Sequence, residues 1–300
     1  MSSPDAGPKI GRRRGWPAAR AAALAAVLPP VLFFVVFFVA PLVYLLVVSF
    51  LTPSQTSLYE NAATIENYAR IVTDPFYLTI IRRTLLAAAI ILAATLALGY
   101  PAALTIASLP PKWRILCLVV LLFPLMVSNV VRAYGWIAIL GRRGIVNQAL
   151  LAVGLADFPL PLLYTFTTVV VGLLTILLPY MIVSITNALT AIDRSYGEAA
   201  QSLGASPART FLHVTLPLSS PGVATGCILV LLLALSAYVT ISLLGGPRFK
   251  LLVSLVYDTI VAFQWPRAAA LSFVLLAMGL AGVGLLLALV RPERVQGRGR

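Results

Sequence analysis

The stretch DRSYGEAAQSLGASPARTFLHVTLP, residues 193–217, belongs to the longest polar connection between apolar runs in this chain of 300 residues. Its local chemistry predicts two short helices. Ser195 and Glu198 stand in the S-x-x-E spacing of a capping box, which satisfies two orphan amides at a helix start. Gly204 falls where a helix C-terminus favours a left-handed residue. Ser206 then offers a hydroxyl cap, with Pro207 at the first helical position. This second helix is expected to run toward Val214 and to close at Leu216 and Pro217. The small residues Ala199, Ala200 and Gly204 would let a partner's backbone approach closely. Taken alone, the same features also suit an interfacial hairpin that binds nothing.

What flanks this elbow is apolar. The chain is 60% hydrophobic and 10% charged, with a mean hydropathy of +0.99, whereas soluble domains carry about 25% charged residues. A helix needs about 20 apolar residues to cross roughly 30 Å of hydrocarbon. The runs fit six crossings, at about 21–50, 84–108, 115–140, 166–189, 222–244 and 271–290. The expected fold is therefore an all-α membrane protein of six transmembrane helices, with the polar connection 190–217 between the fourth and fifth. No polar stretch is long enough for a large soluble domain. Cys117 and Cys227 both lie in apolar runs, where cysteine behaves as a small hydrophobe rather than a disulfide partner. One histidine and two separated cysteines make no zinc set.

Charge sets the orientation. The net charge of +13 would suggest nucleic acid in a soluble protein, but in a membrane protein it reads as cytosolic loop charge facing anionic lipid. Six crossings put both termini on one side. With the termini inside, the inner segments hold 13 of the 22 basic residues. These lie in the tails 1–20 and 291–300, at Lys112 and Arg114, and at Arg194 and Arg209. The loop 190–217 is then cytosolic. A basic tail before an apolar run also describes a signal peptide, but the first run exceeds a signal core of about 7–15 residues and ends in no A-x-A site. No tandem or inverted repeat is visible, unlike carriers built from repeats.

Polar residues inside spans are functional candidates. Asn129, Arg132 and Trp136 stand at i, i+3 and i+7 and share a helical face. Arg132 could instead snorkel to the interface or bridge to an acid. Tyr180 follows Pro179, whose missing amide frees a carbonyl. Asp258, beside Tyr257, is a further candidate nearer a loop. No catalytic residues are expected: His213 lies in the cytosolic loop, and the spans supply no close carboxylate pair. The chain also has no G-x-x-x-x-G-K-[ST] phosphate loop.

The loop then acquires a more specific reading. Glu198-Ala199-Ala200, three residues, Gly204, nine residues, and Val214-Thr215-Leu216-Pro217 resemble the "EAA" loop, E-A-A-x3-G-x9-I-x-L-P, of ATP-binding-cassette (ABC) importer permeases. The chain departs from it only by Val214 for Ile. The segments 64–68 (TIENY), 98–101 (LGYP), 131–136 (VRAYGW), 144–147 (GIVN), 178–180 (LPY), 203–206 (LGAS) and 217–222 (PLSSPG) extend the likeness to the spermidine/putrescine-type subfamily. Two departures touch the presumed pathway: Tyr180 stands where Phe is common, and Trp265-Pro266 is followed by Arg267 and Ala268 without the usual nearby glycine.

The resemblance implies a type I ABC importer permease (MetI-like) fold in the bacterial inner membrane. It implies a second permease subunit, by family habit a different paralogue, and a cytosolic ABC ATPase dimer that binds the ATP. It also implies a periplasmic solute-binding protein, and no nucleic acid or cofactor of the chain's own. Glu198, Ala199, Ala200, Gly204 and Pro217 become the ATPase-coupling residues. Asn129, Arg132, Trp136, Tyr180 and Asp258 become residues of the substrate pathway. The implied cargo is a polyamine or a related organic compound, opine-like solutes among them. The alternative is a channel or secondary carrier that works without an ATPase.

Overall fold

A computed structural model of the chain describes residues 26–54, 58–247 and 249–289. The expected cytosolic tails 1–20 and 291–300, and the outermost residues of the first and last predicted spans, lie outside these. The first helix, α1 (Ala26–Ser49), contains a π turn at Val35–Val39 and leaves Phe33, Phe34, Phe37 and Phe38 exposed. An apolar surface of this length suits hydrocarbon as its solvent.

A short antiparallel hairpin follows, β1 (Leu51–Thr52) with β2 (Glu60–Ala63). The buried Asn67 holds its base: its Nδ2 donates to the carbonyls of Ser49 (3.0 Å) and Leu51 (2.9 Å). Asn67 lies in α2 (Glu66–Thr73), and α3 (Pro75–Ser108) begins directly after Asp74. Asp74 accepts from the Phe76 amide at 2.8 Å, with Pro75 at the first helical position. The helix thus begins at Pro75 rather than at the expected 84, because the cap and proline set the boundary and apolarity does not.

The third expected span, 115–140, is not one helix. α4 (Pro111–Leu122) tightens into a 3-10 turn, Phe123–Met126, and α5 (Asn129–Leu140) starts anew. Segments Pro111–Met126 and Asn129–Ala152 meet at 89°. Pro124 sits in the tightened turn, Val127 is extended, and Ser128 caps the new helix by accepting from the Val130 amide. Among the described residues, five helices are long and apolar enough to cross a membrane, or six if this bent pair is one crossing. Beyond the bend comes α6 (Ile145–Ala152). The buried Asn147 ties it to Leu160 by exchanging two hydrogen bonds with that residue's backbone, at 3.0 and 2.9 Å.

The remaining helices are α7 (Phe166–Ala191), α8 (Arg194–Ser202), α9 (Pro207–Ser236), α10 (Tyr238–Gly245), α11 (Leu252–Val261) and α12 (Trp265–Leu289). Helices α3, α7 and α9 form the centre, where Ile91, Leu173, Met181, Ile185 and Val230 are buried. Lipid is as apolar as leucine, so such helices associate through close packing that small residues permit. A Cβ built at Gly222 would lie 2.3 Å from the Ala188 Cβ, and one at Gly226 would lie 2.7 Å from the Met181 sulfur. Gly222 and Gly226 form a G-x-x-x-G pair that seats α9 on α7.

Two details of the polar elbow differ from expectation, its first cap and its end, while the Ser206 cap forms as expected. Asp193, not Ser195, caps α8: its carboxylate accepts from the Ser195 amide at 2.9 Å, and the Ser195–Glu198 capping box does not form. Ser206 caps the next helix through the Arg209 amide. That helix does not close at Leu216 and Pro217. It passes through a π turn at Phe211–Thr215 and continues unbroken to Ser236. Pro217 falls within the first two positions of the regular helix that follows the π turn, where its missing amide is tolerated. The fifth apolar run, 222–244, is divided instead at Ala237, whose ψ of 57° is not helical.

Candidate functional site

The break at Val127–Ser128 and the break at Ala237 border one cavity of about 310 Å³. Asn129 and Arg132 enter it from α5, Tyr180 from the middle of α7, and Ser236, Tyr238 and Thr240 from the junction of α9 and α10. The cavity thus brings together three of the five pathway candidates. Trp136 lines a neighbouring apolar pocket with Leu140, Pro161 and Thr168. Asp258 is ion-paired with Lys250 and lines no cavity described here. Ser236 and Tyr238 escaped the sequence reading. Their signal was two polar side chains on either side of an alanine, S-A-Y at 236–238, interrupting a long apolar run.

The chemistry of the lining is uneven. The Arg132 Nη2 donates to the Val127 carbonyl at 2.8 Å, so the guanidinium satisfies a backbone acceptor exposed by the helix break. Its Nε and Nη1 are shielded from solvent and have no partner. No carboxylate lines the cavity. The bridge to an acid considered for Arg132 is thus absent among the described residues. Pro179 breaks the backbone ladder of α7 one residue before Tyr180. The ring of Tyr238 packs on Tyr257, with centroids 4.3 Å apart.

The elbow lies at the far end of the same helices: Tyr180 is eleven residues from the α7 terminus at Ala191, or about 16 Å at 1.5 Å per residue. Glu198 and Ala199 are exposed, Ala200 is half-buried, and Leu203 is 90% exposed at the tip. Gly204 takes φ +86°, the left-handed turn expected of it, and its amide donates to the Gln201 carbonyl at 2.9 Å. Pro217 is exposed on α9. An open groove of about 350 Å³ separates the elbow from the end of α3, lined by Leu104, Asp193, Glu198, Thr210 and Val214. The Ser195 amide and side chain hold the Asp193 carboxyl below its ordinary range. His213 is exposed, with Nδ1 at 3.1 Å from the Arg209 carbonyl, an ordinary surface contact.

Helices long and apolar enough to span a membrane surround a polar cavity, with the exposed elbow at the far end of two of them. The chain belongs to the family of binding-protein-dependent transport system inner membrane components, whose profile matches residues 97–294. It is accordingly a multi-pass inner-membrane protein and the permease subunit of a binding-protein-dependent ABC importer. It is similar to the spermidine/putrescine transport system permease protein PotB of Escherichia coli K12, with 35% identity over 80% of this chain and 88% of that protein. PotB of Salmonella typhimurium SL1344 is also 35% identical, over 80% of this chain and 84% of its own length. Among solved structures, a bacterial ABC transporter involved in the import of the acidic polysaccharide alginate superimposes with a TM-score of 0.76. That match has 19% identity and covers 92% of this chain and 97% of that one. At that identity the likeness speaks for the fold.

Proposed function

We propose that the chain is one half of a permease pair, with both termini cytosolic, that moves a small organic solute inward on energy from a separate ABC ATPase dimer. The solute is a polyamine, as the names of the PotB relatives indicate for those proteins, or a related organic compound. The second half is a different permease chain, and a periplasmic binding protein delivers the cargo. ATP is bound by the ATPase, which leaves this subunit without catalytic residues or a cofactor.

The observation that carries this reading is the elbow. Glu198, Ala199 and Leu203 are exposed on a short capped helix directly joined to two core helices. Glu198, Ala199, Ala200 and Gly204 are its docking residues, and Pro217 marks where the docked segment enters the bundle. Closure of the ATPases would shift the elbow, and packed helices respond by hinge or shear. Asn129, Arg132 and Tyr180 line the solute's way. Glu198→Ala and Gly204→Asp test the assignment. Each should reduce co-purification of the ATPase and solute uptake while membrane insertion is kept. Normal co-purification and uptake in both variants would refute it.

A further inference from the structure

We infer that a second pocket, where the first and last spans meet the membrane surface, holds the phosphodiester of an anionic phospholipid, with Arg267 as its main ligand. The pocket has a volume of about 260 Å³, and Thr52, Glu66, Arg70, Gln264 and Arg267 are among its lining residues. It lies just beyond the end of α1 at Ser49 and at the start of α12, so it stands at the level where hydrocarbon gives way to headgroups. Aromatic side chains mark that level. Trp265 follows Gln264 in the chain and is 38% exposed, and Phe50 packs on Tyr68 with ring centroids 5.0 Å apart. Tryptophan and tyrosine gather at membrane–water interfaces.

The lining carries two guanidiniums and one carboxylate. Glu66 is already engaged by Arg70, whose Nη2 and Nε both reach its Oε1, at 2.7 and 2.9 Å. Arg267 has no acid among the described residues: its Nη1 donates to the Gln264 amide oxygen at 2.6 Å, and its Nε is shielded from water without a partner. Arg267 also stands in the first turn of α12, which contains no acidic residue, and a cation there opposes the helix dipole. A shielded charge without a partner keeps its desolvation penalty, and an anion in the pocket removes that deficit. A phosphodiester accepts from an arginine fork in two parallel bonds, and phospholipids present this group to basic pockets between spans. Arg267 is also a position at which the chain departs from the subfamily pattern, and the structure places it outside the pathway cavity. The site is thus separate from the features shared with the polyamine-permease relatives.

A lipid site here requires only that the chain lies in a membrane, so its fate and that of the ATPase assignment are separable. The test is native mass spectrometry of the full chain, purified in detergent with the subunits that accompany it and titrated with dioleoylphosphatidylglycerol. The first lipid adduct should bind about tenfold more weakly to Arg267→Gln, as the loss of one charge-assisted contact requires. Thr52→Glu, which keeps the arginine but adds a carboxylate to the pocket, should weaken the adduct similarly. Arg82→Gln, at an exposed arginine of α3 that does not line the pocket, should leave it unchanged. Excess inorganic phosphate should not displace the lipid; displacement would mean that the pocket takes the free anion, and would overturn the proposal. So would an affinity that survives both Arg267→Gln and Thr52→Glu, or one that Arg82→Gln lowers equally. Weaker binding of the solute-binding protein to Arg267→Gln, with lipid affinity intact, would assign the pocket to that protein instead.

Discussion

The hydroxyl of Tyr100 lies 2.8 Å from the Ser219 hydroxyl, a buried hydrogen bond between residues 119 positions apart. The same tyrosine ring meets Phe211 edge to face, with centroids 5.8 Å apart. Tyr100 precedes Pro101 in α3, and Phe211 opens the π turn that joins the elbow to α9. One side chain therefore fastens the elbow's root to a proline-bearing core helix.

Removing that fastening in two stages should separate its parts. Tyr100→Phe deletes the hydrogen bond and should cost about 1 kcal/mol, the usual net value. Tyr100→Ala also deletes the ring and leaves a cavity, at about 3–5 kcal/mol. Thermal unfolding of the purified complex in detergent measures both. Equal losses in the two variants would show that the aromatic contact contributes nothing.

Glycine substitutions should diverge according to what surrounds them. At Gly222 an added methyl would meet the Ala188 Cβ at 2.3 Å and the Ser184 carbonyl at 2.8 Å. Gly222→Ala should therefore destabilise by about 1–3 kcal/mol, as overpacking does. Gly135 is helical and has nothing within 4 Å of an added Cβ, so Gly135→Ala should be neutral or stabilising by up to about 1 kcal/mol. The same melting measurement distinguishes them.

The cap of α8 should respond to acid in a defined sense. The Asp193 carboxyl is held below its ordinary value of 3.8 by the Ser195 amide. A carboxyl depressed in the folded state adds stability above its unfolded pKa and loses it as the pH falls through the folded one. The cap should thus be intact at neutral pH and weaken only below the ordinary carboxylate range. Asp193→Ala should lower ATPase co-purification at pH 7, whereas Asp193→Asn, another good cap, should retain it. Full retention with Ala would count against a role for the cap.

The Lys250–Asp258 pair should matter little. Its side chains are 37% and 42% exposed, and exposed pairs contribute about 0–1 kcal/mol. Asp258→Asn should therefore shift stability by less than about 1 kcal/mol and leave solute uptake unchanged. A loss of uptake in Asp258→Asn with normal assembly would return Asp258 to the pathway.

Much of this arrangement could be read from residues because it is local. Gly204, Ser206 and Pro207 announce their backbone roles through their own chemistry, and Asn129, Arg132 and Tyr180 stand out as polar groups in apolar runs. What escaped was settled by competition or by tertiary packing. Asp193 and Ser195 are both good caps, and which one wins depends on where α7 releases the chain. Hydropathy cannot register the 89° bend at 127–128, because both arms are equally apolar. Nor could it foresee that Pro217, at a tolerant position after a π turn, would let a helix pass. The pairing of Asp258 with Lys250 rather than with the cavity depends on the fold of α11.

The unbroken course of Pro207–Ser236 has a mechanical consequence. At 1.5 Å per residue these 30 residues span about 45 Å, through the π turn at Phe211–Thr215 and past Pro221, with one end at the site proposed to meet the motor and the other in the cavity wall. A tilt of a few degrees applied below reaches Ser236 as a displacement of ångströms. A docked ATPase that moves the elbow is therefore expected to move the cavity wall at Ser236 with it, while Tyr238 lies beyond the break at Ala237.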